Sequence, residues 1–315
     1  MSRTLKAFRS IFFDGNFHRI WQIINKSPLV HIFAEAHRIW RPEVQRARIR
    51  AFESLELNQT QTQIVDQLKK NGFAVVNELF SPSDFTGLAE YLDEKIRGLE
   101  KAKSQQLVHT KDFWVRLSDS DFSDGMTTDH PLVQLSLKKD LLGVVAGYFG
   151  ELAFLEYILL TYSLPSSSPL KSSQLWHQDH DNDRMIKFFI YLSDVEKNED
   201  GPFTLLPKEA QKKIKNSFFT RHLSDTEVQN SYPLSQSVQI KGRKFSAFLV
   251  DTSVCYHMGS RVSEGHSRLM STSLYVTLPK SYWGKIKNFV RATRPLEPIE
   301  QAAVEANFCP EESSR

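Results

Sequence analysis

The sequence contains no run of about 18 apolar residues, the length a helix needs to cross a bilayer, so no membrane span is expected. Cysteine is scarce: Cys255 and Cys309 are the only two in 315 residues, too few for a disulfide framework. The opening stretch, Met1 to Arg9, lacks the continuous apolar core and small-residue cleavage site of a secretory signal. These absences together point to a reducing, cytoplasmic location. No internal repeat is visible, so a solenoid or propeller is not expected. Outside residues 1–50 the chain carries −4, which is not a nucleic-acid-binding balance for the main body.

What is present favours a folded body with a substantial core. Apolar residues make up 40 % of the chain and include 22 Phe and 5 Trp, while 24 % of residues are charged. The length allows one large domain or two small ones. Charge is unevenly placed. Residues 1–50 hold ten Lys/Arg against Asp14, Glu35 and Glu43, a balance of +7, which leaves −4 for the remainder. Phe8, Ile11, Phe12, Phe13, Phe17, Ile20 and Trp21 interleave with these basic residues. Two readings stay open for this segment. It is a helical cap with a solvated basic face, or an amphipathic helix in peripheral contact with an anionic membrane surface.

Residues 18–40 and 42–70 read as helices, with Pro42 suited to a first turn. Gly72 to Val76 reads as a buried strand. Ser81, Pro82 and Asp84 then open a helix carrying Phe85, Leu88, Leu92, Ile96 and Leu99 at helical spacing. Residues 118–129 read as a loop, and 131–149 as one more helix ending at Gly150. From Phe154 onward the pattern changes to strands: 154–163, 174–178, 186–192, 237–240, 245–250, 255–258 and 269–278. Helices followed by about eight strands predict an α+β fold with a jelly-roll or cupin-like core.

The chemistry concentrates in that second half. His177 and Asp179 are two residues apart, so on a strand they face the same side. His257 follows a turn expected at Asp251-Thr252-Ser253 and offers a second imidazole. Two His and one carboxylate form a facial ligand set that leaves positions open on Fe(II) and suits oxygen chemistry. A His-x-Asp pair alone is weak evidence, since ten His among many Asp make chance matches common. Arg268, on the strand after His257, adds a guanidinium able to clamp a carboxylate by two parallel hydrogen bonds.

With those residues in place, the chain resembles the phytanoyl-CoA dioxygenase family from about Ile64 onward. The resemblance rests on Asn71-Gly72-Phe73-Ala74-Val75-Val76, Gln174-Leu175-Trp176-His177-Gln178-Asp179 and Lys187-Phe188-Phe189-Ile190-Tyr191-Leu192. It continues through Asp200-Gly201-Pro202-Phe203 and Tyr256-His257-Met258-Gly259-Ser260-Arg261. It implies a double-stranded β-helix flanked by N-terminal helices. It also implies a non-haem Fe(II)- and 2-oxoglutarate-dependent dioxygenase that uses O2 on a small-molecule substrate and releases succinate and CO2. His177, Asp179 and His257 would then bind the metal, and Arg268 the distal carboxylate of 2-oxoglutarate. The intact carboxylate at Asp179 favours hydroxylation over halogenation, for which related enzymes carry a small residue there. One departure stands out: Pro207-Lys208-Glu209-Ala210 replaces the family's usual Pro-Gly-Ser-His. The expected organisation is a basic helical extension over 1–60, the oxygenase domain over 61–290 and a C-terminal tail over 291–315.

Asp179 to Asp183 resembles the start of a calcium loop, but Arg184 stands at its sixth position and Ile190 at its twelfth, which excludes it. His180 lacks the Asp two residues later that His177 has. A Zn(II) hydrolase would have no need of Arg268. A non-catalytic metal- or ligand-binding barrel is the main alternative to an enzyme. Cys255 reads as a small buried hydrophobe. Lys187, a lone charge in an apolar strand, reads either as lining the site or as snorkelling at a sheet edge. Gln174 reads either as a contact to substrate or cosubstrate or, by default, as an exposed strand amide, and His109, His130, His222 and His266 are expected on the surface.

Overall fold

In a computed structural model the residues described are 42–102, 113–117, 126–179, 182, 184–214, 222–277 and 290–305. The expected helix over 18–40, the rival His180 and His109 lie outside them, as does most of the basic segment 1–50.

Two helices stand where one was expected over 42–70. They are α1 (Pro42–Glu53) and α2 (Gln59–Asn71). The break has a local cause. Asn58 accepts from the Gln61 amide and the Gln61 side chain accepts from the Asn58 amide, a reciprocal capping box that starts a new helix. Gly72 ends α2 at φ 82°, a left-handed conformation that only glycine adopts without strain. It delivers the chain into β1 (Phe73–Val75). A 3-10 turn at Pro82–Phe85 leads into α3 (Thr86–Ala102), followed by β2 (Trp114–Arg116) and β3 (Met126–Thr127). The expected helix over 131–149 is likewise divided, into α4 (Pro131–Ser136) and α5 (Lys139–Phe149). Lys138 at the junction is extended (φ −55°, ψ 126°), and its ammonium reaches Asp84 at 2.9 Å. A tertiary ion pair thus accompanies a break that helical periodicity does not reveal.

The strands follow: β4 (Phe154–Ser163), β5 (Met185–Tyr191), β6 (Phe203–Leu205), β7 (Val238–Ile240), β8 (Ala247–Val250), β9 (His257–Met258), β10 (Arg268–Val276) and β11 (Val290–Arg291). Two short helices, α6 (Asp225–Gln229) and α7 (Pro298–Val304), complete the described elements. A six-stranded antiparallel sheet runs in the order β1-β8-β5-β10-β4-β2. A second sheet, β7-β6-β9, is also antiparallel. It continues sideways through two isolated bridges, His257 with His177 and Trp176 with Leu223.

One face of the large sheet is covered by helices. Ile186, Phe188 and Ile190 of β5, Leu249 of β8 and Ile158 and Leu160 of β4 pack there with Ile64 and Leu68 of α2 and Val144 and Val145 of α5. The opposite face meets the second sheet. Phe189, Tyr191, Phe248, Val250 and Met270 form a separate apolar cluster with Phe203, Leu205 and Ile240. The Tyr191 hydroxyl crosses this gap, donating to Ile240 O at 2.7 Å and accepting from the Phe203 amide at 2.9 Å. Burial pushes its phenol up to about 12, so it remains a donor.

The described ends of the chain pack onto this body. Arg48 of α1 is buried and donates to Leu152 O at 3.1 Å and Glu305 O at 2.7 Å. Ile299, Ala302, Ala303 and Val304 of α7 join the helix-covered core. No described helix is long and apolar enough to cross a membrane.

Candidate metal centre

His177, Asp179 and His257 converge, with one potential ligand atom from each lying within 4.8 Å of the others. The segment holding the first two is less regular than a strand. Gln174 closes a 3-10 turn, and only Trp176 and His177 pair with neighbours. They pair on opposite sides, as adjacent residues of an extended chain must. Trp176 exchanges two backbone hydrogen bonds with Leu223, and His177 exchanges two with His257, at 3.0 and 2.9 Å. That second exchange sets the imidazoles side by side, with ring centroids 4.3 Å apart. The Asp179 amide donates to Thr252 O at 2.8 Å, which fixes the backbone of the third residue.

Both rings have their protons assigned by their partners. His177 Nδ1 lies 2.8 Å from Leu175 O, and His257 Nδ1 lies 3.1 Å from Cys255 O. A carbonyl only accepts, so each Nδ1 must carry the hydrogen. In the neutral ring each Nε2 then presents a bare lone pair. His257 Nε2 is 3.4 Å from one Asp179 oxygen, and His177 Nε2 is 3.9 Å from the other. Burial, reinforced by His257, lowers His177 to about 3 despite the opposing pull of Asp179, so the ring is neutral near pH 7. Burial pushes the Asp179 carboxyl up, but Lys187 and then the two imidazoles outweigh it and hold it well below the usual carboxylate range. Two lone pairs and a carboxylate thus face one another, and a divalent cation fits that donor set.

Arg268 lines the same cavity. It is the first residue of β10, opposite Ser163 of β4. Its guanidinium is 2 % exposed and donates to Gly201 O, to Ser260 Oγ at 3.1 Å and, more weakly, to Ser163 Oγ at 3.4 Å. Gly201 adopts φ 68°, and a Cβ there would press within 3.1 Å of the Arg261 backbone, so this approach requires glycine. No carboxylate pairs with Arg268 among the described residues, and its buried Nε has no hydrogen-bond partner. Burial pushes its pKa down, although nearby Tyr191 opposes that. A buried cation without an anion is costly, so an anionic ligand is the natural complement. The cavity holds about 190 Å³ and is lined by the three candidate ligands, Arg268, Ser260, Lys187 and an apolar set that includes Trp114, Tyr157, Leu159 and Phe203.

Around the centre, Lys187 and Cys255 take positions that the sequence offered, while Gln174 and His222 do not. Gln174 is buried at 4 % exposure, contrary to expectation, and donates to Ser260 O at 3.1 Å. Lys187 lies inside the central strand β5 and donates to Asp179 at 2.7 Å, so it lines the site. His222 stands with its ring 5.4 Å from His177. His266 pairs with Asp200 at 2.7 Å, and His130 accepts from the Leu132 amide at the start of α4. Cys255 is wholly buried, with its thiol pushed up to about 12 by burial, as a small hydrophobe should be. A clasp braces both ligand segments. Arg261 donates to both oxygens of Asp225 at 2.8 and 2.9 Å and to Gln174 O at 2.7 Å, while Trp176 Nε1 donates to Asp225 at 2.7 Å. Trp176 adjoins His177 and Arg261 follows His257 by one short loop, so one carboxylate ties the two together.

No family model and no curated protein matches the chain. Solved structures do resemble it. One is the non-heme alpha-ketoglutarate-dependent epimerase SnoN from nogalamycin biosynthesis, with 12 % identity, 75 % of this chain and 95 % of that chain covered, and a TM-score of 0.49. EctD from S. alaskensis, solved with 2-oxoglutarate and 5-hydroxyectoine, has 14 % identity over 71 % of this chain and 79 % of its own, with a TM-score of 0.49. HygX from Streptomyces hygroscopicus, solved with nickel, 2-oxoglutarate and hygromycin B, has 16 % identity over 71 % and 88 %, with a TM-score of 0.42.

Proposed function

We propose that the chain is a non-haem Fe(II)- and 2-oxoglutarate-dependent dioxygenase of the phytanoyl-CoA dioxygenase type, built on a double-stranded β-helix. The observation that carries this reading is the pairing, in one cavity, of a His-Asp-His cluster with a buried arginine that lacks a carboxylate partner. The catalytic domain spans 61–290 and is expected in the cytoplasm, with α1 and α7 packed against it.

Each residue has a definite task. His177 and His257 offer Nε2 to the metal because their Nδ1 hydrogens are committed to Leu175 and Cys255. Asp179 supplies the single negative charge that balances part of a divalent ion. Arg268, assisted by Ser260, holds the distal carboxylate of 2-oxoglutarate and so sets the reach from anchor to metal. Trp114, Tyr157, Leu159 and Phe203 exclude water from the remaining space, which receives a small organic substrate. Fe(II) with 2-oxoglutarate and O2 supplies the oxidising chemistry, coupling hydroxylation of a substrate C–H bond to release of succinate and CO2. Asp179 occupies the position that a halogenating site would leave open, which favours hydroxylation.

The test is succinate formation by purified protein supplied with Fe(II), 2-oxoglutarate and O2. Slow succinate release without substrate is expected, and it should vanish in His177→Ala and Arg268→Met. Absence of both succinate and 2-oxoglutarate binding, with metal content unchanged in His177→Ala, would sink the proposal. Metal uptake and 2-oxoglutarate binding without succinate would instead favour a non-catalytic barrel.

A further inference from the structure

We infer that Lys187 is a positioning residue for the metal centre: it grips one oxygen of Asp179 and so sets how the carboxylate meets the metal. The inference rests on the proposed metal site and adds to it a residue on a different element. Lys187 sits mid-strand among Met185, Ile186, Phe188, Phe189 and Ile190, all buried. Its side chain is nine-tenths buried, and its Nζ lies 2.7 Å from Asp179 Oδ2. An ammonium in such a strand is expensive to bury, and a hydrophobe would serve the core better. Its presence therefore calls for a task at the carboxylate.

Geometry supplies that task. Asp179 lies beyond the bridged pair Trp176 and His177, in no regular strand, and its amide bond to Thr252 O fixes only the backbone. The carboxylate would otherwise turn about its last bond. Lys187 comes from β5, which is hydrogen-bonded to β8 on one side and β10 on the other. Its Cα opposes Val250 and Leu274 in register, so the anchor cannot drift. The large sheet thereby orients a ligand whose own segment is irregular. Partners of this kind hold metal ligands in place, and their loss typically lowers metal affinity or activity by about 10–100-fold.

Electrostatics alone predicts the opposite sign, because removing a positive charge beside a metal site should tighten binding. The direction of change therefore decides. Co(II) titration, followed by its d–d absorption, reads both affinity and coordination geometry. Lys187→Met, about the same length and uncharged, leaves Asp179 without its cation and should lower the melting temperature of the metal-free protein. It is expected to lose roughly tenfold or more in Co(II) affinity and alter the d–d band. Lys187→Gln should behave alike, which keeps the test open if the Met variant does not fold. Lys187→Arg, which retains the cation–carboxylate contact, should recover most of the affinity and the wild-type band. Equal or tighter Co(II) binding with an unchanged band in Lys187→Met would overturn the inference while leaving the metal site standing. If His177→Ala also leaves Co(II) uptake intact, the metal-centre reading fails and this inference with it.

Discussion

The two faces of the six-stranded sheet are made by alternate residues of the same strands, yet they end in opposite chemical states. Toward the helices, β5 presents Ile186, Phe188 and Ile190, and Ser273 and Tyr275 of β10 find partners within the protein. Ser273 meets Ser136 Oγ at 2.8 Å, and the Tyr275 hydroxyl donates to Ser136 O at 2.6 Å. Toward the second sheet, the same strand presents Lys187 and Phe189, and β10 presents Arg268, Met270 and Thr272 to the cavity. There the charges are not closed off: the Arg268 Nε has no partner, and the imidazole lone pairs point at a carboxylate. A period of two lets one strand serve stability and binding at once, because neither face constrains the other's residue types. The outer face should therefore respond to substitution through stability, and the inner face through ligand affinity.

The largest effect expected tests the outer face. Phe188, 1 % exposed and stacked on Phe80 at 5.5 Å, should cost about 3–5 kcal/mol of stability when replaced by Ala, read by urea unfolding. The metal affinity of the molecules that remain folded should not change. Arg268→Met reverses the pattern. It should weaken 2-oxoglutarate binding by about 2 kcal/mol or more, measured by calorimetry on metal-loaded protein, with the melting temperature held or raised because a buried unpaired charge is gone. A large stability loss in that variant would break the division between faces.

A smaller effect lies at the clasp, where the division blurs. Arg261 holds the Asp225 carboxyl below its ordinary 3.8 against the opposing effect of burial, with a smaller contribution from Trp176. A carboxylate with a lowered folded pKa stabilises the protein above its unfolded value, and that contribution is lost as pH falls through the folded value. Asp225→Asn should therefore flatten the decline in stability below about pH 4, read by thermal melts across that range. It should also loosen metal binding slightly, since Trp176 adjoins His177. The smallest effect is Asn58→Ala at the start of α2, worth about 1 kcal/mol of stability and nothing in ligand affinity.

Much of this was legible in sequence because it is local. The apolar run over 154–163 is β4 residue for residue, and the His-x-Asp spacing did mark a cluster. The Asn58-x-x-Gln61 capping box that splits 42–70 was equally local, although periodicity masked it. What stayed hidden depends on distant partners. Lys187 gave no indication which side of its strand faced a carboxylate. Gln174 looks exposed until Ser260 is placed beside it, and His222 has no motif linking it to His177. The break at Lys138 is accompanied by an ion pair with Asp84, on a segment far upstream. Composition and period carry no information about such pairings.

The paired backbone bonds between His177 and His257 also bear on when the site comes into being. They join segments separated by most of the strand-rich half, so closing this contact demands a large loss of chain entropy before it returns any stability. The two imidazoles should thus meet only as the sheets themselves assemble, since β4 and β10 pair across a still longer stretch of chain. A nascent or partly folded chain would offer isolated histidines with little power to retain a divalent ion. Metal capture becomes a privilege of the finished fold, and the ion, binding the native state alone, should slow its unfolding once acquired.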